Sequence, residues 1–294
     1  MNIKHIPAKI NNIRFRFVFI VIVMLVEINE DRECIGKEAF DSMVHTEYVH
    51  DEKTDEEVKK TSTKTITQST IDPESGCFHK GEKEKCFAYS HQTLCDKNSF
   101  VLAVTTVPGN VHNSVSFFDA YEKLINGKYG YLIKNVSLDA GYMTPAICRA
   151  IVQNDQIPNM SYKRPKIKKG FSKKYEYVYD EENDCYLCPN DKILMYTTTT
   201  RNGYRQYKSD SKDCKDCPLR NKCTKSKNMT KVIERHLWEE FREYDDEIRH
   251  TMEWKEIYPQ RKKTIERVFA DDSGNLKITN LDRLIFTKNG EFTI

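Results

Sequence analysis

Two carboxylates, a cysteine cluster and a basic run are the residues of this chain whose types and spacing suit chemistry. Asp139 stands in LDAGY (Leu138–Tyr142), where the residues before it predict a strand that ends on the aspartate. Carboxyl ends of strands in α/β sheets face the crevice where ligands bind. Taken alone, such an aspartate serves equally well to cap the turn that follows. Glu266 stands in RKKTIERVF (Arg261–Phe269), beside a face formed by Ile265, Val268 and Phe269 and among Arg261, Lys262, Lys263 and Arg267. Taken alone, it reads as a solvated glutamate in surface ion pairs. Together the two carboxylates suit a shared divalent ion. Such ions activate water or a sugar hydroxyl and steady the leaving oxygen of a phosphodiester. Mg2+ fits through its preference for oxygen ligands, with Mn2+ as the substitute.

Five of the ten cysteines cluster as Cys185-x2-Cys188, Cys214-x2-Cys217 and Cys223, with 25 residues between the two pairs. In a long, lysine-rich chain such pairs read as metal ligands in a reducing compartment, which points to the cytoplasm. Thiolates bind Zn2+ tetrahedrally, and a two-residue gap lets both sulfurs of a pair reach one ion. Five is one too many. Spacing by itself favours Cys185, Cys188, Cys214 and Cys217, and buried free thiols are the plain alternative. A site of four sulfurs leaves no position for water and would be structural.

Residues 163–174 hold seven bases: Lys163, Arg164, Lys166, Lys168, Lys169, Lys173 and Lys174, with Phe171, Tyr175 and Tyr177 close by. Bases neutralise phosphates and aromatic faces stack on unpaired bases of DNA, although a charge run is more often just a solvated surface. His79, His91, His112 and His236 form no metal pattern. There is no phosphate-cradling glycine loop and no nucleophile elbow, so no small-molecule substrate is implied.

The elements that must position these groups follow from patterning. The chain has 294 residues, 38% hydrophobic and 31% charged, with a net charge of +3. That supports a real core without demanding nucleic acid. Phe17–Val26 (FVFIVIVMLV) is too short to span a membrane, and its Phe, Val and Ile content predicts a buried strand. Residues 28–71 are polar and predict a loop, partly disordered. Cys86–Asp96 and Phe100–Val107 predict a hairpin turning at Asp96–Ser99. A helix capped by Ser114 or Ser116 runs to about Ile125, a strand covers Tyr131–Leu138, a helix starts at Thr144-Pro145, and a last strand covers Ile157–Tyr162. The order hairpin, helix, strand, helix, strand is an α/β layout with mixed strand directions. From His236 onward, Leu237, Phe241, Tyr244, Ile248 and Met252 predict one apolar helical stripe, interrupted at Pro259.

The ordered series INEDRE (Ile28–Glu33), DPESGCFHKGE (Asp72–Glu82), FAYSHQTLCDK (Phe87–Lys97), PGNVHNS (Pro108–Ser114), LDAGYMTPAI (Leu138–Ile147), YKRPKIKKGFSKKYEYVYDEENDCYLCPN (Tyr162–Asn190) and TIERVFAD (Thr264–Asp271) resembles DDE transposases of bacterial insertion sequences, in the group with a cysteine-rich insert before the glutamate. The resemblance implies an RNase H-like mixed sheet flanked by helices, with a small zinc-binding insert. It also implies DNA transposition by phosphodiester cleavage and strand transfer at two metal ions. Asp139 would be the second catalytic acid and Glu266 the third, with Mg2+ or Mn2+ at both. The zinc ligands would be Cys188, Cys214, Cys217 and Cys223. Partners would be transposon-end and target DNA, another copy of the chain or an intact transposase, and no membrane.

The implied regions are an apolar leader or replaced first strand (1–27), a polar loop (28–71), the core (72–164), the insert (165–235), catalytic-domain helices (236–271) and a dissimilar tail (272–294). This sequence departs from the family where the first aspartate should stand: the apolar run lies near that place, and its first acid is Glu27. The family's amino-terminal DNA-binding domain is missing, and the residues after Asp271 do not resemble its continuing helix. These departures imply a fragment truncated at both ends with little or no activity. The alternative is a non-catalytic module that binds DNA or inhibits an intact transposase.

Overall fold

The computed structural model describes residues 13–41, 48–51, 56–59, 68–80, 84–128, 130–162 and 169–265. Glu266, Lys163, Arg164, Lys166 and Lys168 lie outside the described residues. The chain divides into two compact units, with boundaries between Lys163 and Arg164 and between Glu240 and Phe241. Residues 63–163 and those from Phe241 onward form one; Phe17–Ser62 and Arg164–Glu240 form the other.

The apolar run is helical, not the expected strand: α1 spans Ile13–Cys34. A short antiparallel pair follows, β1 (Tyr48–Asp51) with β2 (Glu56–Lys59), inside the stretch expected to be loop. A ten-residue apolar run does not distinguish strand from buried helix by periodicity. The turns after it decide. Ile28 is fully buried, and the Asn29 side chain hydrogen-bonds both backbone groups of Phe40, at 2.9 and 2.7 Å. Among the described residues no helix is long and apolar enough to cross a membrane.

In the first unit, β3 (Gly76–Lys80), β4 (Glu84–Cys95) and β5 (Val101–Pro108) form an antiparallel sheet. The β4–β5 turn is tied by Asp96, whose Oδ1 accepts the N–H groups of Asn98 and Phe100. Helix α2 (Asn113–Ile125) is capped by the His112 ring, which accepts the Ser114 N–H, and not by a serine as expected. The helix starts two residues earlier than a Ser114 cap would place it, which hands the cap to His112. Phe117, Phe118 and Tyr121 are buried on its inner face, and Phe117 stacks on Tyr121 at 5.0 Å.

The strand expected over Tyr131–Leu138 begins instead as a 3-10 turn, Gly130–Leu132, and only then becomes β6, Asn135–Leu138. Gly130 makes that turn possible, since a side chain there would run into the Ile125 carbonyl. Helix α3 (Pro145–Val152) has Thr144 as its cap and proline in its first turn, as expected, and β7 (Ile157–Met160) pairs parallel with β6.

The second unit is a five-stranded antiparallel sheet in the order β12-β11-β10-β9-β8. Its strands are β8 (Val178–Asp180), β9 (Cys185–Leu187), β10 (Ile193–Thr199), β11 (Tyr204–Ser209) and β12 (Val232–His236). Between β11 and β12 lie two short helices, α4 (Ser211–Lys215) and α5 (Arg220–Cys223). Tyr177, Tyr186, Leu194, Tyr207 and Ile233 form the core. The phenol cost of burial is met by Asp184, which accepts the hydroxyls of Tyr179 at 2.8 Å and Tyr207 at 2.6 Å.

Helix α6 (Glu239–Ile248) leads back to the first unit, followed by α7 (Met252–Ile257) and helical residues 260–265. The expected stripe does not hold. Tyr244 and Met252 are exposed, whereas Trp238, Glu239 and Asp245 are buried. The reason is a break at 249–251, where Thr251 caps a new helix, so Met252 does not continue the face of α6.

Candidate functional site

Asp139 follows β6 directly, at the carboxyl end of a parallel strand pair. It heads a 3-10 turn, Ala140–Tyr142, without capping it through its side chain. The carboxylate therefore points away from the turn-capping role. It is 60% exposed and meets Arg261 Nη2 at 3.5 Å. Arg261 lies on helical residues 260–265, its guanidinium 5.8 Å from the Tyr258 ring, which stacks on Trp254 at 4.6 Å. The helix that leads to Glu266 thus passes the end of β6. Tyr142 closes the other side: its hydroxyl donates to Gln92 of β4, and its ring meets Phe117 edge-on at 6.1 Å. Burial, then the nearby Asp139 charge, pushes the Tyr142 hydroxyl above the usual phenol range.

Among the described residues no three His, Cys, Asp or Glu side chains converge to hold a metal ion. Asp139 faces a guanidinium, so the described part of this site does not fit a divalent cation, which needs several oxygen ligands. Glu27 belongs to the other unit. It accepts the indole N–H of Trp238 and so helps anchor α1.

One carboxyl escaped the sequence reading. Asp245 is fully buried on α6. Its Oδ1 accepts the Met160 N–H at 3.1 Å, where β7 ends, and its Oδ2 is buried without a hydrogen-bond partner. Burial pushes its carboxyl up to about 7; Asp246 adds to the rise, while the Met160 N–H, Arg242 and Arg249 oppose it. In the sequence it looks like one more acid in a charged helix, and no local signal distinguishes it.

Cys188, Cys214, Cys217 and Cys223 line one cavity of the second unit, together with Tyr177 and Ser209. Cys185 does not line it: it is buried within β9, opposite Asp180 of β8. The backbone N–H groups of Asn190 and Lys192 both donate to Cys188 Sγ at 3.4 Å. Tyr177 Oη lies 3.0 Å from Cys223 Sγ, and Ser209 Oγ lies 3.1 Å from Cys214 Sγ. The four thiols share a cavity and a soft-donor chemistry suited to zinc, although their sulfurs do not converge as a closed metal cage.

The described bases of the 163–174 run differ in their surroundings. Lys174 pairs with Glu239 at 3.0 Å, Lys173 lies 5.2 Å from the Tyr175 ring, and Lys169 is exposed. Of the four histidines, His112 caps α2 and His236 is buried, its Nδ1 accepting the Trp238 N–H, while His79 and His91 bond neighbours on the open sheet.

Residues 187–284 match a family model described as "Transposase DDE domain". The matched span includes all four cavity cysteines, with Cys188 just after its start, runs through α6 and α7, and reaches across position 266. No curated protein and no solved structure matches the chain. The mixed α/β layout, with sheets flanked by helices, is consistent with an RNase H-like DDE domain.

Proposed function

We propose, for a chain whose residues 187–284 belong with the transposase DDE domains, that it keeps the scaffold and DNA binding of such a domain without its strand cleavage. A transposase-like function with DNA as partner follows from the family, which uses divalent metal ions. The observation that supports inactivity is the surroundings of Asp139. Its carboxylate sits where a parallel strand would present a catalytic acid, yet the group that meets it is the Arg261 guanidinium at 3.5 Å. A guanidinium offset against a carboxylate lowers its pull on a divalent cation. Phosphoryl transfer of this kind depends on positioning and on charge supplied by metal ions. No catalytic step is therefore assigned to the described residues.

The second metal is structural. Cys188, Cys214, Cys217 and Cys223 are the residues that would hold Zn2+, and the cavity they line together, which Cys185 does not line, supports that assignment over one including Cys185. Bound zinc would cross-link β9, α4 and α5 and supply no reaction chemistry.

The test of inactivity is cleavage of a nicked and an intact DNA duplex by purified protein with Mg2+ or Mn2+, beside the Asp139→Ala and Glu266→Ala variants. The expected result is no cleavage by any of the three. Cleavage by the parent that both variants lose would overturn the reading and mean that a third acid completes the site.

A further inference from the structure

The cysteine-bearing unit holds a second basic segment that the sequence reading left out. Between Cys217 and Ile233 the chain has no acid and five bases: Arg220, Lys222, Lys225, Lys227 and Lys231. This segment lies some fifty positions after the 163–174 run, and the fold brings the two together. The Ser172 N–H donates to the Lys222 carbonyl at 2.8 Å. Lys225 Nζ lies 5.5 Å from the Phe171 ring, and Lys231 Nζ lies 5.2 Å from the Tyr177 ring while donating to the Cys223 carbonyl at 3.2 Å.

We infer that residues 169–175 and 220–231 form one DNA-binding face, in which Lys222, Lys225 and Lys227 neutralise backbone phosphates and Tyr175 offers a stacking surface. The inference rests on DNA being the partner and adds where on the chain it binds. These lysines are closely spaced and uncompensated, whereas several other bases of the same unit are paired. Lys174 is matched by Glu239, Lys192 by Asp213 and Arg205 by Asp31. Lys222, Lys225 and Lys227 are exposed, and none has an ion pair to a described carboxylate.

A closely spaced row of like charges on a one-turn helix and its following loop is unfavourable in isolation and is relieved by a polyanion. Tyr175 is 72% exposed, and Lys173 Nζ lies over its ring at 5.2 Å from the centroid, adding positive charge beside it. An exposed phenol next to cations suits an unpaired base better than a paired one, because only an unpaired base can lie flat on the ring. Contact through phosphates and stacking carries no sequence code, so binding of this kind is non-specific.

The experiment uses the full chain and a labelled duplex of arbitrary sequence, with and without a single-stranded tail, titrated between roughly 50 and 200 mM salt. The variant combines Lys222→Gln, Lys225→Gln and Lys227→Gln. Its control combines Lys97→Gln, Lys134→Gln and Lys255→Gln, exposed lysines of the other unit. The slope of log affinity against log salt should fall by about 2–3 in the variant, with roughly tenfold or greater loss of affinity at the low-salt end, and remain unchanged in the control.

Tyr175→Ala, a surface change that does not depend on the lysine triple folding, should weaken binding to tailed DNA several-fold and leave blunt duplex unaffected. A parent that binds while the lysine triple keeps the full slope would overturn the face and leave DNA binding standing. Equal losses in triple and control would overturn it too, as a diffuse charge effect. A parent that binds no DNA at all would remove the proposed function and this inference with it.

Discussion

Asp245 places a carboxyl in the core with one oxygen hydrogen-bonded to the end of β7 and the other without a partner. That arrangement is sustainable only if the group holds its proton. Its carboxyl is pushed up from 3.8 to about 7, first by burial. Between those two pH values the folded chain binds a proton that the unfolded chain releases. Stability from this residue is therefore complete below about pH 4 and declines as pH rises toward 7. Asp245→Asn, neutral throughout, should flatten that decline by up to about 4 kcal/mol. Urea unfolding followed by circular dichroism at pH 5 and pH 7 checks this, and an unchanged pH dependence in the variant would show that the carboxyl is ionised in the fold. Asp139 was legible in the sequence because a strand pattern ends on it, whereas Asp245 was not, because burial of one helix face by a distant strand end leaves no mark on local composition.

Helix α1 shows the same limit at the scale of an element. Its apolar half reads as a strand, and its polar last turns determine what it becomes. Asp31 makes a two-bonded ion pair with Arg205 of β11, at 2.7 and 2.6 Å, and also accepts the Thr199 hydroxyl of β10 at 2.8 Å. Arg32 and Arg201 lie on the Phe40 ring, at 3.9 and 4.0 Å from its centroid. These contacts tie residues 27–41 to the strand sheet of their own unit and give the preceding residues a helical register to continue. Asp31→Ala would leave a part-buried guanidinium without its anion. The expected cost is about 2 kcal/mol, below the range for fully buried pairs because the Arg205 side chain is 30% exposed. Amide hydrogen exchange over residues 22–34 should quicken in this variant; exchange equal to the parent's would mean that apolar packing alone holds α1. The hairpin β4–β5 and the caps of α3 were readable in advance, since Asp96-Lys97-Asn98-Ser99 and Thr144-Pro145 are local turn and cap chemistry.

For the whole molecule, the division into two units sets what a metal can stabilise. If zinc cross-links Cys188, Cys214, Cys217 and Cys223, its removal should loosen residues 178–236 and leave the α2–α3 core intact, because the ligands all lie in one unit. Metal analysis should give about one zinc per chain in the parent and in Cys185→Ser, and much less in Cys223→Ser or Cys214→Ser. Limited proteolysis after chelation should cut first within the cysteine-bearing unit. Full zinc retention by Cys223→Ser together with loss in Cys185→Ser would reverse the ligand assignment.

Taken alone, the sequence determined the order of the core elements, the strand end that carries Asp139, the presence of a compact cysteine cluster and the match of residues 187–284 to a transposase DDE domain model. Each of these is written in local patterns: alternation, cap residues, short cysteine gaps. Tertiary structure decided the rest. It chose helix over strand for Phe17–Val26 and sorted Cys185 from the four cavity thiols. It buried Asp245 and set Arg261 against Asp139. It also joined two basic segments through one backbone hydrogen bond. All of these depend on which distant surface a residue meets, and a chain's local pattern constrains the shape it presents without naming the surface that will receive it.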